Sequence, residues 1–134
     1  MTLKIINPAE QGVELKLPEG CKALGLDIDD TITAWPAQFS AMSNEARQLG
    51  IRVVIITSRS EQGRRETVGE LNELGIHFDA LRFLPAMSWA NEHCPHRHLN
   101  WYQRWLWYKI RIAEEEGVTH LFDDDAVFKT NIFN

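Results

Sequence analysis

Short apolar runs alternate with longer amphipathic segments along most of this chain. Each run has the length of a strand, and the second is almost continuously apolar, which is typical of a strand buried on both faces of a parallel sheet. The four runs are KALGL at residues 22–26, IRVVIIT at 51–57, FDALRFL at 78–84 and VTHLF at 118–122.

Three segments between these runs have the spacing of amphipathic helices. We predict helices over residues 36–49, 61–74 and 101–116, and a glycine follows each of them, as is common at helix ends. Strands and helices therefore alternate, which indicates a three-layer α/β fold with a mainly parallel sheet.

Two parts of the chain depart from this alternation. The first twenty residues predict a short N-terminal β extension, with strands at 3–6 and 13–17 on either side of a turn. Residues 85–100 have no clear period and predict an irregular connection. No linker rich in proline, glycine or serine divides the chain, so we expect residues 1–134 to form a single domain.

The composition of the chain indicates where the protein is located and which partners it can bind. The chain has no leader-like start, no apolar run near roughly 18 residues and only two cysteines, far apart, which predicts a cytoplasmic protein without a disulfide framework or a membrane span. The net charge of −5 argues against a protein that wraps nucleic acid, because that mode needs many basic residues. A nucleic-acid end stays possible as a substrate.

Reactive polar residues follow the predicted strands. They are Asp27 and Asp29 after the first run, Thr57 at the end of the second, and Asp123 and Asp124 after the last, with Lys109 in the helix before that last run. Because the carboxyl ends of parallel strands form the ligand crevice, we expect these side chains to meet there. Close carboxylates repel, and Mg²⁺ would supply the counter-charge while keeping water and phosphate oxygens as ligands.

The pair Asp27 and Asp29 indicates phosphoryl transfer. Because they are two positions apart, their side chains would face the same way on an extended strand. One carboxylate can attack a phosphoryl group to give an aspartyl-phosphate, and the other can move protons. Thr57 and Lys109 offer a hydroxyl group and a positive charge to the oxygens of the transferred group.

Four motifs in this order carry a family resemblance. DIDDT, VVIITS, a lysine and HLFDDD resemble the motifs of the haloacid-dehalogenase-like (HAD) phosphohydrolase superfamily, over about residues 23–126. The resemblance implies a Rossmann-like, HAD-like fold and a phosphatase that uses Mg²⁺. It also implies roles: Asp27 as nucleophile, Asp29 as acid/base, Thr57 as phosphate ligand, Lys109 as charge stabiliser, and Asp123 and Asp124 as Mg²⁺ ligands together with Asp27 and the main-chain carbonyl of Asp29.

Three further residues are candidates for contacts with the substrate. They are Thr31, Ser58 and Arg59, and Ser58 would replace Thr57 as the hydroxyl group if the strand ended one residue later. Asp30 stands where many members of the family have glycine, so we expect it to cap the turn after the strand. Asp125 is an extra acid beside the usual pair and is expected to cap the following helical turn.

The spacing of the motifs leaves no room for the cap domain that family members acting on small metabolites often carry. An open site suits a phosphate on a bulky molecule, or a site that a second copy of the chain covers. The sequence distance from Lys109 to Asp123 resembles that in the phosphatase domains of polynucleotide kinase/phosphatase enzymes. The resemblance therefore favours a macromolecular phosphate, such as a polynucleotide 3′-end, as the substrate.

Two other functions stay open. The chain could be a catalytically weak or inactive relative that serves as a binding or scaffold protein. It could also be a phospho-acceptor module similar to response-regulator receivers, although a receiver has its lysine at the end of the last strand and here acidic residues follow Lys109. Intact Asp27 and Asp29 favour the phosphatase over the scaffold.

The segment 93–107 suggests two sharper readings that we do not adopt. Its histidines and its cysteine lack the spacing of paired zinc ligands, so a surface loop is the simpler interpretation. Its three tryptophans could stack on bases. We expect Trp105 to pack in the core, and an exposed Trp101 would mark a docking surface.

Overall fold

The computed structural model describes residues 2–130 together with 132 and 133. Regular elements follow the predicted alternation, with short 3-10 turns at Pro8–Glu10, Gly12–Glu14, Glu61–Gly63 and Ala126–Lys129. The strands are β1 (Lys4–Ile6), β2 (Ala23–Leu26), β3 (Arg52–Thr57), β4 (Ala80–Phe83) and β5 (His120–Phe122), and the helices are α1 (Pro36–Gln48), α2 (Arg64–Glu73), α3 (Met87–His93) and α4 (Trp101–Glu115).

The five strands form one parallel sheet in the order β1-β5-β2-β3-β4. The predicted α/β fold with a parallel sheet is therefore confirmed, and its topology is consistent with a Rossmann-like fold. A Cβ atom at Gly25, in the middle of β2, would lie 2.9 Å from Val118 Cγ1, so glycine allows the close packing at this point of the sheet.

Helices cover both faces of the sheet. Apolar side chains of α1 and α2 pack on one face, and those of α4 pack on the other. The strand residues alternate accordingly, since Val53 and Ile55 belong to the first core cluster whereas Val54 and Ile56 belong to the second. This two-sided burial explains why the run at β3 is almost continuously apolar.

The strand order reverses beside β2. The chain passes from β2 through β3 to the edge strand β4, and α3 and α4 then lead it to β5 on the other side of β2. In open α/β sheets the ligand crevice lies outside the carboxyl ends of the strands at such a reversal. The ligand crevice is therefore expected beside the residues that follow β2 and β5.

The predicted N-terminal β extension is wrong in two respects. Its first strand exists, but β1 is an edge strand of the main sheet, with Lys4 opposite His120 of β5. Its second strand does not form, because the chain makes a 3-10 turn at Gly12–Glu14 with Gly12 at a φ of 55°. The period-two alternation arises because Leu15 and Leu17 reach the core from an irregular segment.

The connection at residues 85–100 contains one helix, α3, which the sequence analysis missed. None of the helices in the described part of the chain is long and apolar enough to cross a lipid bilayer.

Candidate functional site

Two neighbouring strands end side by side at the reversal point of the sheet. The amide of Asp27, directly after β2, donates a hydrogen bond of 3.0 Å to the carbonyl of Phe122, the last residue of β5. The amide of Asp123 in turn donates to the carbonyl of Ile6 in β1, also at 3.0 Å. Sheet pairing therefore fixes the two aspartates next to each other, although they are distant in the sequence.

Three carboxylates gather at this edge. One oxygen atom each of Asp27, Asp123 and Asp124 lies within 4.8 Å of the other two. Asp27 and Asp123 are buried, and Asp124 is partly buried. The predicted convergence of the acids after β2 and β5 is thus observed, and this cluster could hold a metal ion.

Lys109 from α4 reaches between two of these acids. Its Nζ atom lies 2.7 Å from Asp27 Oδ1 and 2.6 Å from Asp123 Oδ2, and only 4 % of its side chain is exposed. A helix lysine is more often solvated, so this burial marks it as part of the site. Three carboxylates against one ammonium group leave two negative charges unbalanced.

This imbalance shows in the pKa values of the acids. Burial raises the pKa of Asp27 to about 7; the nearby Asp123 carboxylate raises it too, and Lys109 opposes both. Burial also raises the pKa of Asp123. Burial would lower the pKa of Lys109, but the attraction of Asp27 and Asp123 outweighs it and raises that pKa, so the lysine stays charged.

Thr31 lies beneath the cluster and is fully buried. Its hydroxyl group is 3.0 Å from Asp27 Oδ2 and 3.1 Å from Asp124 Oδ1, and it accepts a hydrogen bond of 3.2 Å from the Asp124 amide. The hydroxyl group can donate its one hydrogen to Asp27 while its oxygen accepts from the Asp124 amide, so Thr31 ties the two acids together. This place suits the positioning of the acids better than the substrate contact predicted from the sequence.

A tight turn, Ile28–Ile32, carries the chain out of β2. Within it Asp30 has a φ of 61°, the left-handed conformation that favours glycine, and its amide donates to Thr33 Oγ1 at 2.9 Å. Asp30 thus sits at the turn, as predicted, but Thr33 rather than Asp30 supplies the capping side chain.

Asp29 faces the cavity from the same turn, and its carboxylate is held by Arg59. The guanidinium group donates from Nε to Asp29 Oδ2 at 3.0 Å and from Nη2 to Oδ1 at 2.8 Å. These bonds lower the pKa of Asp29. Arg59 Nη1 also lies 2.8 Å from Glu70 Oε1 in α2, so this predicted substrate contact is already engaged by two acids.

The two hydroxyl residues at the end of β3 have different surroundings. Thr57 is buried, and its hydroxyl oxygen accepts a hydrogen bond of 3.1 Å from the Arg59 amide. Ser58 lines the cavity above the acids. Of the two alternatives, Ser58 therefore has the more direct access to a bound group.

The cavity itself has a volume of about 160 Å³ and is strongly acidic. Its walls come from the turn after β2, the end of β3, one face of α4 and the loop after β5. The lining residues are Asp27, Asp29, Asp30, Ser58, Tyr102, Leu106, Lys109, Asp123, Asp124 and Asp125. A larger cavity of about 410 Å³ lies between β4 and α4, and its walls hold none of the site acids.

Tyr102 is a member of the site that the sequence analysis missed. Its hydroxyl group donates a short hydrogen bond to Asp125 Oδ2. The other oxygen of Asp125 accepts from the Val127 amide at 2.9 Å, which confirms the predicted cap. The only signal in the sequence was the spacing of 102, 106 and 109, which places these residues on one face of a helix.

Within the described residues, the histidines and the cysteine of the segment 93–107 form no group of three that could hold a metal ion, although the rings of His96 and His98 meet edge-on with centroids 6.0 Å apart. His93 stacks on Trp89 with ring centroids 4.2 Å apart, whereas His96 packs edge-on against Trp107. Trp105 is only partly buried, and its indole N–H donates to the Pro85 carbonyl, so the core position predicted for it is half correct. Trp101 is 63 % exposed, as the docking hypothesis requires.

Comparison with known proteins found no family model, no curated protein and no solved structure that matches this chain. The chemistry of the site must therefore be argued from its own residues.

The residues of the cluster fit a hard divalent cation. All the donors are carboxylate oxygens, which such ions prefer. Asp123 Oδ2 is buried and is paired with Lys109 Nζ at 2.6 Å, which leaves the other carboxylates of the cluster short of positive charge. An ion there would balance the two excess negative charges.

Proposed function

We propose that this protein is a Mg²⁺-dependent phosphatase of the HAD type, which hydrolyses phosphomonoesters through an aspartyl-phosphate on Asp27. The observation that supports this best is the buried cluster of Asp27, Asp123 and Asp124 with Lys109, at the carboxyl edge where the strand order reverses. A buried cluster of like charges destabilises the fold, and such clusters are typically found where they serve binding or chemistry.

Asp27, Asp123 and Asp124 would hold the Mg²⁺, with the main-chain carbonyl of Asp29 as a further ligand. When bound, the ion supplies positive charge to the phosphoryl oxygens and keeps the nearby carboxylates ionised. Ionisation matters for Asp27, because a nucleophile with a pKa of about 7 is half protonated at neutral pH.

In the first half of the reaction, an oxygen of Asp27 attacks phosphorus, and the bond between phosphorus and the leaving oxygen breaks. Asp29 gives that oxygen a proton. In the second half, Asp29 takes a proton from water, whose oxygen attacks phosphorus; the bond between phosphorus and the Asp27 oxygen breaks, which restores the Asp27 carboxylate and releases inorganic phosphate. Lys109 and the hydroxyl group of Ser58 or Thr57 face the negative charge that develops on the phosphoryl oxygens.

The ion pair with Arg59 bears on the role of Asp29. While the pair is closed, Asp29 is a carboxylate with a lowered pKa, which suits the base of the second half-reaction. To deliver a proton in the first half, Asp29 must leave this pair. The Nε and Nη2 atoms of Arg59 would then be available to the phosphate of the substrate, the contact predicted from the sequence, while Glu70 keeps Nη1.

We further propose that the substrate carries its phosphate on a bulky molecule, such as a polynucleotide 3′-end. The connection from β2 to β3 carries the helix α1 and the one from β4 to α4 carries the short helix α3, which supports a site without a cap domain. The small cavity of about 160 Å³ accommodates little more than the phosphate, so the rest of the substrate would lie outside it.

The test is hydrolysis with Mg²⁺ of a generic aryl phosphate and of an oligonucleotide 3′-phosphate. We expect both to release phosphate, with a higher kcat/KM for the oligonucleotide. Asp27→Asn should abolish turnover of both, whereas Asp79→Asn, an aspartate outside the cavity, should keep it. Normal turnover in Asp27→Asn would refute the nucleophile, and equal kcat/KM for both substrates would refute the macromolecular preference.

A further inference from the structure

Tyr102 occupies the first turns of α4, on the face that also carries Leu106 and Lys109 toward the acidic cavity. The spacings of four and three residues place these side chains one above the other. The same helix face therefore delivers a charged group to the floor of the site and a phenol group to its rim. Tyr102 is 45 % exposed, which fits a place at the rim.

The phenol group begins a chain of hydrogen bonds that ends on a proposed metal ligand. Tyr102 donates to Asp125 Oδ2, and Asp125 Oδ1 accepts from the Val127 amide at 2.9 Å. The amide of Asp125 donates to Asp123 Oδ1, also at 2.9 Å. Both oxygens and the amide of Asp125 are thus engaged, and its orientation is fixed from three sides.

This chain decides which oxygen of Asp123 faces the cluster. Asp123 Oδ1 is occupied by the Asp125 amide, which leaves Oδ2 to pair with Lys109. Three successive carboxylates repel one another, so the loop at 123–125 would relax outward without a donor for the third. Tyr102 supplies that donor.

We infer that Tyr102 is a positioning residue: through Asp125 it holds the 123–125 loop in the arrangement that turns Asp123 Oδ2 toward Lys109, which also contacts Asp27. The effect on the metal ion rests on the proposed function, whereas the effect on the loop does not. Groups that orient the ligands of a metal typically change its affinity by tenfold to a hundredfold when they are lost.

The test compares Tyr102→Phe with Tyr108→Phe, the other tyrosine of the chain. Tyr108 lies on a different face of α4, and its hydroxyl group makes no hydrogen bond within the described residues, so its loss controls for the removal of a phenol group. In metal-free protein, amide hydrogen exchange at residues 125–127 should be about fivefold to tenfold faster in Tyr102→Phe. It should be unchanged in Tyr108→Phe.

Titration calorimetry with Mg²⁺ alone gives the second measurement. The Kd should rise about tenfold in Tyr102→Phe and stay at the wild-type value in Tyr108→Phe. Asp125→Ser keeps a capping oxygen for Val127 but removes the carboxylate that Tyr102 bonds, so replacement of Tyr102 should have no further effect on exchange or on the Kd in that background. The double variant should therefore match Asp125→Ser.

Exchange rates in Tyr102→Phe that equal the wild-type rates, or faster exchange in the double variant than in Asp125→Ser, would overturn the inference. Faster exchange together with an absence of Mg²⁺ binding in the wild type would support the positioning role and refute the metal site of the proposed function. Unchanged Mg²⁺ affinity beside faster exchange would overturn the link from the loop to the metal ion.

Discussion

Replacement of Lys109 by methionine tests the electrostatic reading of the site most directly. The lysine side chain is 4 % exposed, and its Nζ atom lies 2.7 Å from Asp27 Oδ1 and 2.6 Å from Asp123 Oδ2. Methionine retains most of the apolar stem and removes the charge. Removal of one partner from a buried ion pair typically costs about 3–5 kcal/mol, because the opposite charge stays buried without compensation.

The pH dependence of this loss has a definite sign in metal-free protein. The pKa of Asp27 is raised to about 7, and Lys109 is the main group that opposes the rise, so its removal raises that pKa further. An acid whose pKa is higher in the folded than in the unfolded protein stabilises the fold less as the pH rises through the folded value. The destabilisation by Lys109→Met should therefore be larger at pH 8 than at pH 6.

Urea denaturation in the presence of EDTA measures the free energy of unfolding at both pH values. Lys129→Met is the matched control, because Lys129 is an exposed lysine with a 3.6 Å contact to Glu10 and should contribute less than about 1 kcal/mol. Addition of Asp27→Asn to Lys109→Met should recover part of the loss, since one buried charge is then absent. A loss below about 1 kcal/mol in Lys109→Met, or one independent of pH, would refute the reasoning.

Three further substitutions have defined outcomes. Thr31→Val, which removes the hydroxyl group between Asp27 and Asp124, should lower the free energy of unfolding in urea by about 1–3 kcal/mol and weaken Mg²⁺ binding in calorimetry; full Mg²⁺ affinity would argue against the role of Thr31. Asp30→Val should cost about 1–2 kcal/mol at the φ of 61°, whereas Asp30→Gly should change little, and equal thermal stabilities would contradict this. Burial lowers the pKa of His120 below 6.5, so the unfolded chain takes up the proton first and the contribution of His120 to stability falls as the pH drops below about 6.5; the change in melting temperature from pH 7.5 to pH 5.5 should therefore be more favourable in His120→Gln than in the wild type.

The sequence predicted most of the sheet and three of the four helices, because apolar runs of strand length and glycine stops are local signals. β3 and α4 lie within a residue of their predicted bounds. The sequence did not predict the helix α3, because only Ala90 and Asn91 of its seven residues are buried. A helix that short has no recognisable apolar stripe. The strand predicted at 13–17 does not form, because alternation over five residues also fits an irregular segment in which Leu15 is buried and Leu17 is partly buried.

For the site, the rule that ligands bind at the carboxyl ends of parallel strands was enough to predict from the sequence that the acids lie together. Sheet register then brings Asp27 and Asp123 together, and register follows from the fold. The pairing of Arg59 with Asp29 and of Tyr102 with Asp125 could not be read in the same way. Arg59 is 30 residues from Asp29 in the sequence, and Tyr102 is 23 residues from Asp125. The geometry of each pair depends on side-chain directions that no periodicity encodes.

The pairing of β1 with β5 also sets an order on biosynthesis. Lys4 lies opposite His120, and the amide of Asp123 bonds to Ile6, so β1 can pair with its neighbour only after residues 4–123 have all left the ribosome. Until then β1 is unpaired, and the sheet lacks both β5 and the two acids that follow it. Release of a nascent chain before residue 123 would give a product that has Asp27 without the acids that gather beside it.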